Sequence, residues 1–467
     1  MAFPIVTVPY VSRVLGAHNI GIVNFVTTYA NYFTLFALLG IPIYGIREIS
    51  KVRNSLSDTG RAFSEIFSVS LISTALVTIV YFLTIFLVPS LREQWLYLVI
   101  AGGTLYLCCF SVDWFYIGRE KLKAVAVRSL IVKGLCLIGM FLFVKSREDA
   151  IYYLLVIVFS TVASNIWNVA YLVNHGVKIN FVFGREVIKR HIRPLLVLFL
   201  SSVTISIYTM LDTLLLGFVS DYSQVGYYTS AMKISKMLIT VVVTAGGLLM
   251  SRISFHHSEK NMEEIGKLIK KSFELVVAVA VPLVVIQLVS AARFVPFFFG
   301  TDFLPAIVPM MMLSSLIVIC GLSNPFGMQL MLGTEHDRQY LVALAIGMVL
   351  SIVSNLLLAP RFGAIGSSMA AVIAELSVTV SVIWFSTKII RIKIEWREIL
   401  TTVVATIPMV VCALLLSWRY SALTNFEYLV ILGILGFGSY VALQYFVFRN
   451  RSIREIVGTF ASKIQRK

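Results

Sequence analysis

The chain has 467 residues, 58% of them hydrophobic and only 13% charged, with a mean hydropathy of +0.90, which excludes a soluble globular class and marks a polytopic membrane protein. A formal net charge of +16 would point to nucleic acid in a soluble protein, but here topology accounts for most of it and nucleic-acid binding is set aside. The six histidines fall in polar stretches between apolar runs, the five cysteines lie inside such runs, and there is no HExxH or CxxC spacing, so neither a metal site, a disulfide framework nor a cofactor is expected.

Cutting at charge clusters and at Pro/Gly breaks predicts an all-α fold of about 14 membrane helices: 1–12, 20–46, 63–88, 95–117, 124–144, 150–173, 194–217, 226–249, 272–291, 305–330, 339–359, 365–386, 400–418 and 427–448. The first is short for a crossing, so its start is expected to be shortened; no basic leader or small-residue cleavage site indicates a cleavable signal peptide. The pattern reads as two six-helix lobes, 1–173 and 194–386, joined by an amphipathic cytoplasmic linker at 174–193. Helices 13 and 14 and a basic tail, 387–467, follow; the lack of charge inside these helices predicts that they pack against lipid.

Orientation follows from the loops. One alternate set (47–62, 118–123, 174–193, 250–271, 333–338, 387–399 and 449–467) holds 28 Lys and Arg, the other only 7. Short loops rich in these residues stay cytoplasmic, so both termini are expected there, and the outer loops are too short for a catalytic domain.

Two helices look like copies of one element. Gly21 precedes Arg47 by 26 residues, Gly226 precedes Arg252 by 26, and a shift of 205 aligns them. Under that shift Asn24, Thr28 and Asn31 fall on Thr229, Lys233 and Lys236, a polar stripe on one helical face, neutral in one copy and cationic in the other. Repeated membrane helices with polar faces turned to a shared axis are one way transporters build a central substrate site.

Lys233 and Lys236 lie too deep in their span for both to snorkel, and a charge in hydrocarbon costs about 3 kcal/mol on insertion scales. That face must border water or an anion, and acids within the spans are scarce. Lys133 reads the same way, whereas Arg128, near its helix end, reads as an interfacial anchor or a headgroup contact. Asp212 either pairs with a lysine of the next helix or binds a coupling ion. Glu375 has no basic neighbour in its own helix and is protonated, ion-binding or paired across the bundle. Asp113 is expected to anchor its helix against Arg119, and Arg61 with Glu65 to form a surface pair of small worth. Asn165 and Asn168 share a face suited to interhelical hydrogen bonds or to a sugar-lined cavity. Pro282, Pro305, Pro309 and Pro325 are candidate breaks in the second half.

The stretch PYVSRVLGAHNIGIVNFVTTYANYFTLFALLGIPIYGIREIS at 9–50 resembles the Wzx-type oligosaccharide flippases of the multidrug/oligosaccharidyl-lipid/polysaccharide exporter superfamily. DWFYIGREKLKAVAVRSLIVK at 113–133, LDTLLLGFVSDYSQVGYY at 211–228 and APRFGAIGSSMAAVIAE at 359–375 extend the resemblance over nearly the whole chain. It implies a bacterial inner-membrane protein, not an enzyme, that carries undecaprenyl-diphosphate-linked O-antigen or capsule repeat units outward by alternating access through a cationic central cavity. By that similarity Arg13 and Arg47 join the lysines as diphosphate contacts, and a polysaccharide polymerase and other export machinery are candidate partners. Two alternatives stay open: a drug or organic-cation antiporter of the same superfamily, which should carry acids where this chain has lysines, and a membrane polymerase or glycosyltransferase, which needs larger outer loops.

Overall fold

The computed structural model describes residues 2–174, 181–182, 185–246, 249–390, 395–419, 423–450 and 453–454, all considered below. Among the described residues ten helices are long and apolar enough to cross a bilayer, eleven if the bent pair Tyr222–Thr244 and Leu249–Ser258 counts as one span, beside the fourteen expected from sequence. Two of these runs, Ile5–Val52 and Asp337–Ile389, have 48 and 53 residues, far beyond the roughly 20 that one crossing needs. Each holds a left-handed glycine, Gly16 at φ 75° and Gly363 at φ 55°, where the missing Cβ permits a break that other residues resist. Eight of the twenty residues of the expected linker 174–193, namely 175–180 and 183–184, lie outside the described residues.

Chain contacts divide the protein into two compact units, 1–226 and 227–467. The first opens with α1 (Ala2–Leu38), α2 (Ile41–Val52) and α3 (Leu56–Leu87). The expected single span 20–46 is interrupted between α1 and α2, where Leu39 and Gly40 take φ 47° and 77°. Ser55 caps α3 by accepting from the Asp58 amide. After short helices come α4 (Asp113–Gly118), α5 (Leu122–Phe143), α6 (Ala150–Asn174) and α7 (Arg185–Val219). The core is aromatic: Phe63 stacks on Trp114 with centroids 5.5 Å apart, and Ile41, Ile49, Phe67 and Phe115 close around them.

The second unit holds nearly all of α8 (Tyr222–Gly246), then α9 (Met262–Phe298), α10 (Ser315–Asn324) and α11 (Asp337–Ile389). Asn261 caps α9 by accepting from the Glu264 amide. Pro282 sits inside this uninterrupted 37-residue helix, while Pro325 opens a widened turn over Pro325–Met331. α8, α9 and α10 meet through Val242, Val276, Ala280 and Ile317. The final helices, from Trp396 onward, pack back on α9, with the Tyr440 hydroxyl donating to the Ala278 carbonyl at 2.6 Å. Their outer side exposes Leu414, Trp418, Ile434 and Phe446, a lipid-facing composition.

Candidate functional site

In the first unit the neutral stripe lies along the less buried side of α1. Phe25, Val26, Tyr29 and Ala30 are buried, while Asn24 and Thr28 are half-buried and Asn31 is exposed. Arg13 and Arg47 are exposed as well, at α1 and on α2. Asp212, on α7, is buried and lies within electrostatic range of Tyr32, itself buried one residue beyond Asn31. The stripe is therefore flanked by a carboxylate that its own helix does not supply.

In the second unit the cationic stripe has the same character. Ala231, Ile234 and Ser235 are buried against the unit, while Lys233, Lys236, Thr240 and Thr244 are exposed at three- and four-residue steps and Thr229 is half-buried. The two threonines donate to carbonyls one turn back on α8 at 2.8 and 2.6 Å, which satisfies their hydroxyls locally. On the opposite face Gln287 of α9 donates to the Ser235 hydroxyl at 2.8 Å and to the Met310 carbonyl at 2.9 Å. This buried amide fixes the rotation of α8, and so decides that the lysines point out of the helical core.

Lys236 has company. It lies within electrostatic range of Cys320 on α10, whose thiol hydrogen-bonds with Glu375, and Tyr340 also falls within range of that carboxyl. Glu375 is thus engaged across the bundle by α10 and by the start of α11. Among the described residues no carboxylate pairs with Lys233 or with Lys133, which is exposed on α5.

Arg128 stands apart from the others. It is buried rather than interfacial, and it donates to Asp113 at 2.8 Å and to the Asn168 side-chain oxygen. Asn168 in turn donates to Asp113 at 2.7 Å, and Tyr116 donates to the Asn168 carbonyl at 2.5 Å. This corrects the expected pairing of Asp113 with Arg119, which instead lies over the Phe115 ring at 5.8 Å. The reason is reach: Arg128, one helix on, comes back to the start of α4, where Asn168 of α6 completes the contact. Asn165 also bonds between helices, to the Leu107 carbonyl at 3.3 Å.

A second correction concerns Glu65. It pairs with Arg61 as expected, but it is buried and ties α3 to α7: His191 Nε2 lies 3.0 Å away, and Arg190 and Arg61 each 3.3 Å away. His191, expected in a polar stretch, is buried here with Tyr44 against its Nδ1 at 2.7 Å. Only the Arg61/Glu65 spacing was visible in sequence; Tyr44 and His191 are 147 residues apart. Among the described residues no group of three or more His, Cys, Asp or Glu is arranged to hold a metal ion.

A model of the family described as "Polysaccharide biosynthesis protein" matches residues 1–254, more than half the chain. The protein belongs to that family. The flippase-like motif at 9–50 falls inside the matched stretch. Among curated relatives, one from Escherichia coli (strain K12) is 24% identical over 388 residues, 82% of this chain and 92% of its own. Another, from Shigella dysenteriae, is 25% identical over 255 residues, 54% of this chain and 63% of its own. Both bear the name "Putative O-antigen transporter". Among solved structures, lipid II flippase MurJ in an inward closed conformation is similar at a TM-score of 0.78, with 12% identity and 96% of each chain covered. An inward-facing multidrug resistance MATE transporter of the MOP superfamily follows at 0.61, with 16% identity over 83% of this chain and 94% of its own. These likenesses establish the fold: an all-helical membrane transporter architecture shared with flippases and exporters.

Proposed function

We propose that this family member carries lipid-linked oligosaccharide repeat units from the cytoplasmic to the outer leaflet of the bacterial inner membrane, on an undecaprenyl-diphosphate carrier. The observation that carries the reading is the outward-facing pair Lys233 and Lys236 within a membrane helix, one of them without a carboxylate partner among the described residues. A lipid diphosphate is a compact anion, and ammonium groups in a low-dielectric setting replace much of the hydration it loses. The relatives named as O-antigen transporters support the cargo class.

In this reading the sugars and diphosphate enter a cationic cavity while the polyprenyl tail stays in lipid, and alternating access exposes the headgroup outward. Arg13, Arg47 and Lys133 assist as further cations; Asn24, Thr28, Asn31 and Thr229 offer hydrogen bonds to sugar hydroxyls; Asp212 and Glu375 balance charge or bind a coupling ion. The two lobes of this transport unit are taken as 1–173 and 194–386, with the last two helices as an appendage. No covalent step is needed.

The test is reconstitution into liposomes, following transfer of a polyprenyl-diphosphate oligosaccharide between leaflets with a cationic dye in parallel. Lipid transfer that disappears in the Lys233→Gln/Lys236→Gln protein supports the reading and its site together. Dye exchange without lipid transfer replaces it with an antiporter.

A further inference from the structure

The cluster around Glu65 is not needed by the transport scheme above, and its geometry does more than tie helices together. Glu65 is held on both oxygens: Arg61 approaches Oε1 at 3.3 Å, while Arg190 and His191 share Oε2 at 3.3 and 3.0 Å. The three partners differ sharply in accessibility. The His191 and Glu65 side chains are 5% and 9% exposed, whereas Arg61 and Arg190 are 77% and 62% exposed. One buried carboxylate is therefore the counter-ion of two guanidiniums that face outward and of one imidazole that does not.

We propose that Arg61 and Arg190 form a loading site for a diphosphate anion, and that occupancy of this site is linked to proton uptake by His191. When the guanidiniums turn to the anion, Glu65 loses two of its three donors and becomes a buried, under-compensated carboxylate. A proton on His191 restores the balance. The imidazole is placed for it: Nε2–H already donates to Glu65, and Nδ1, which accepts from Tyr44 in the neutral form, can instead donate to the Tyr44 oxygen. No hydrogen bond to the ring need be lost in either state.

Among the described residues, Arg47 and Glu48 of α2 also act on Tyr44, together with Glu65 and Arg190. They are of opposite sign and pair with one another at 3.9 Å. By linkage the sign is fixed: if anion binding takes up a proton, acidification must tighten anion binding by the same factor. The charge bias of the loops assigns this end of the first unit to the cytoplasm, where a flippase substrate is loaded. The proposal deepens the transport reading and rests on it for the identity of the anion.

Titration calorimetry of the purified full-length protein in detergent tests it, with two probes that keep constant charge between about pH 6 and about pH 8. One is sulfate; the other is a short-chain polyprenyl-diphosphate-linked sugar, a diester. The expected result is binding about tenfold tighter at the lower pH, with heats that depend on the buffer as proton uptake requires. His191→Gln binds alike at both pH values, and Arg61→Gln/Arg190→Gln loses binding at both. If His191→Gln does not fold, Tyr44→Phe removes one of the two ring partners and should shift the midpoint of the pH dependence.

Sulfate binding with this linkage supports a site that reads charge alone, and linkage seen only with the lipid-linked sugar supports one that reads the headgroup. Parent binding that ignores pH, or a double arginine variant that binds like the parent, overturns the proposal. Because binding is measured without transfer, linkage that persists while leaflet transfer fails overturns the flippase reading alone. Transfer without linkage overturns this site alone.

Discussion

Gly21 and Gly226 stand in reciprocal positions at one helix crossing of the first unit. A Cβ on Gly21 would lie 1.7 Å from the Tyr222 carbonyl oxygen, and one on Gly226 would lie 2.1 Å from the Ala17 carbonyl oxygen. The shift of 205 that carries Gly21 onto Gly226 also carries Ala17 onto Tyr222, so each contact is the image of the other. His18 and Ser223, which the same shift superposes, face each other at 3.4 Å.

Gly21→Ala and Gly226→Ala should therefore each destabilise the protein, by about 1–3 kcal/mol, because backbone must move to admit the methyl group. The double variant should cost less than the sum, since both relieve the same crossing. Gly134→Ala is the control: no atom lies within 4 Å of its Cβ position, and alanine favours the helix. Thermal unfolding in detergent reads all four. A Gly21→Ala protein that melts with the parent would refute the close approach.

The Arg128 network is structural in this geometry. Arg128→Met strands Asp113 and Asn168, and should lower stability by about 3 kcal/mol, the low end for a broken buried pair because Asp113 is 44% exposed. Transfer per folded molecule should be unchanged. A folded variant that has selectively lost transfer would instead return Arg128 to the substrate path.

The pair of His18 with Asp221, 3.6 Å apart, gives a pH dependence of known sign. Desolvation pushes the Asp221 carboxyl up, but bonds from the Ser223 hydroxyl and amide and the His18 charge outweigh it and hold it below its ordinary value. A carboxyl depressed in the folded state contributes stability above its unfolded pKa of about 3.9 and loses it as pH falls through the folded value. The stability gap between parent and Asp221→Asn should be full at neutral pH and close in acid. A gap independent of pH down to about 3 would show that Asp221 is not held this way.

Near the end of the chain Thr424 and Glu427 close a reciprocal cap: Glu427's amide donates to the threonine oxygen, and the Thr424 amide donates to the carboxylate. Thr424→Ala should cost about 1 kcal/mol, seen as a lower melting temperature with transfer intact. An unchanged melting curve would mean that this helix start is held by packing instead.

Much of the architecture was legible in sequence because it is set by solvent. Hydrocarbon leaves the backbone no partner but itself, so apolar runs must be helices, and their existence and approximate limits can be read from hydropathy alone. The repeat, the depth of Lys233 and Lys236 and the flippase-like motif at 9–50 were equally visible, since each is a matter of order and spacing along one chain. Even the outward face of the lysines follows from helical periodicity once Ile234 and Ser235 are assigned to the interior.

What required the tertiary structure is every pairing that spans helices. Asp113 chose Arg128 over the nearer Arg119, and Glu65 found His191, 126 residues away. Glu375 found Cys320. In hydrocarbon a polar side chain is driven to whichever partner the packing brings within 3 Å, and sequence separation does not enter that energy. The sequence by itself determined which segments enter the membrane and which charges go with them. Only the packed helices decided which of those charges are spent on one another, as at Arg128, and which are left facing outward, as at Lys233.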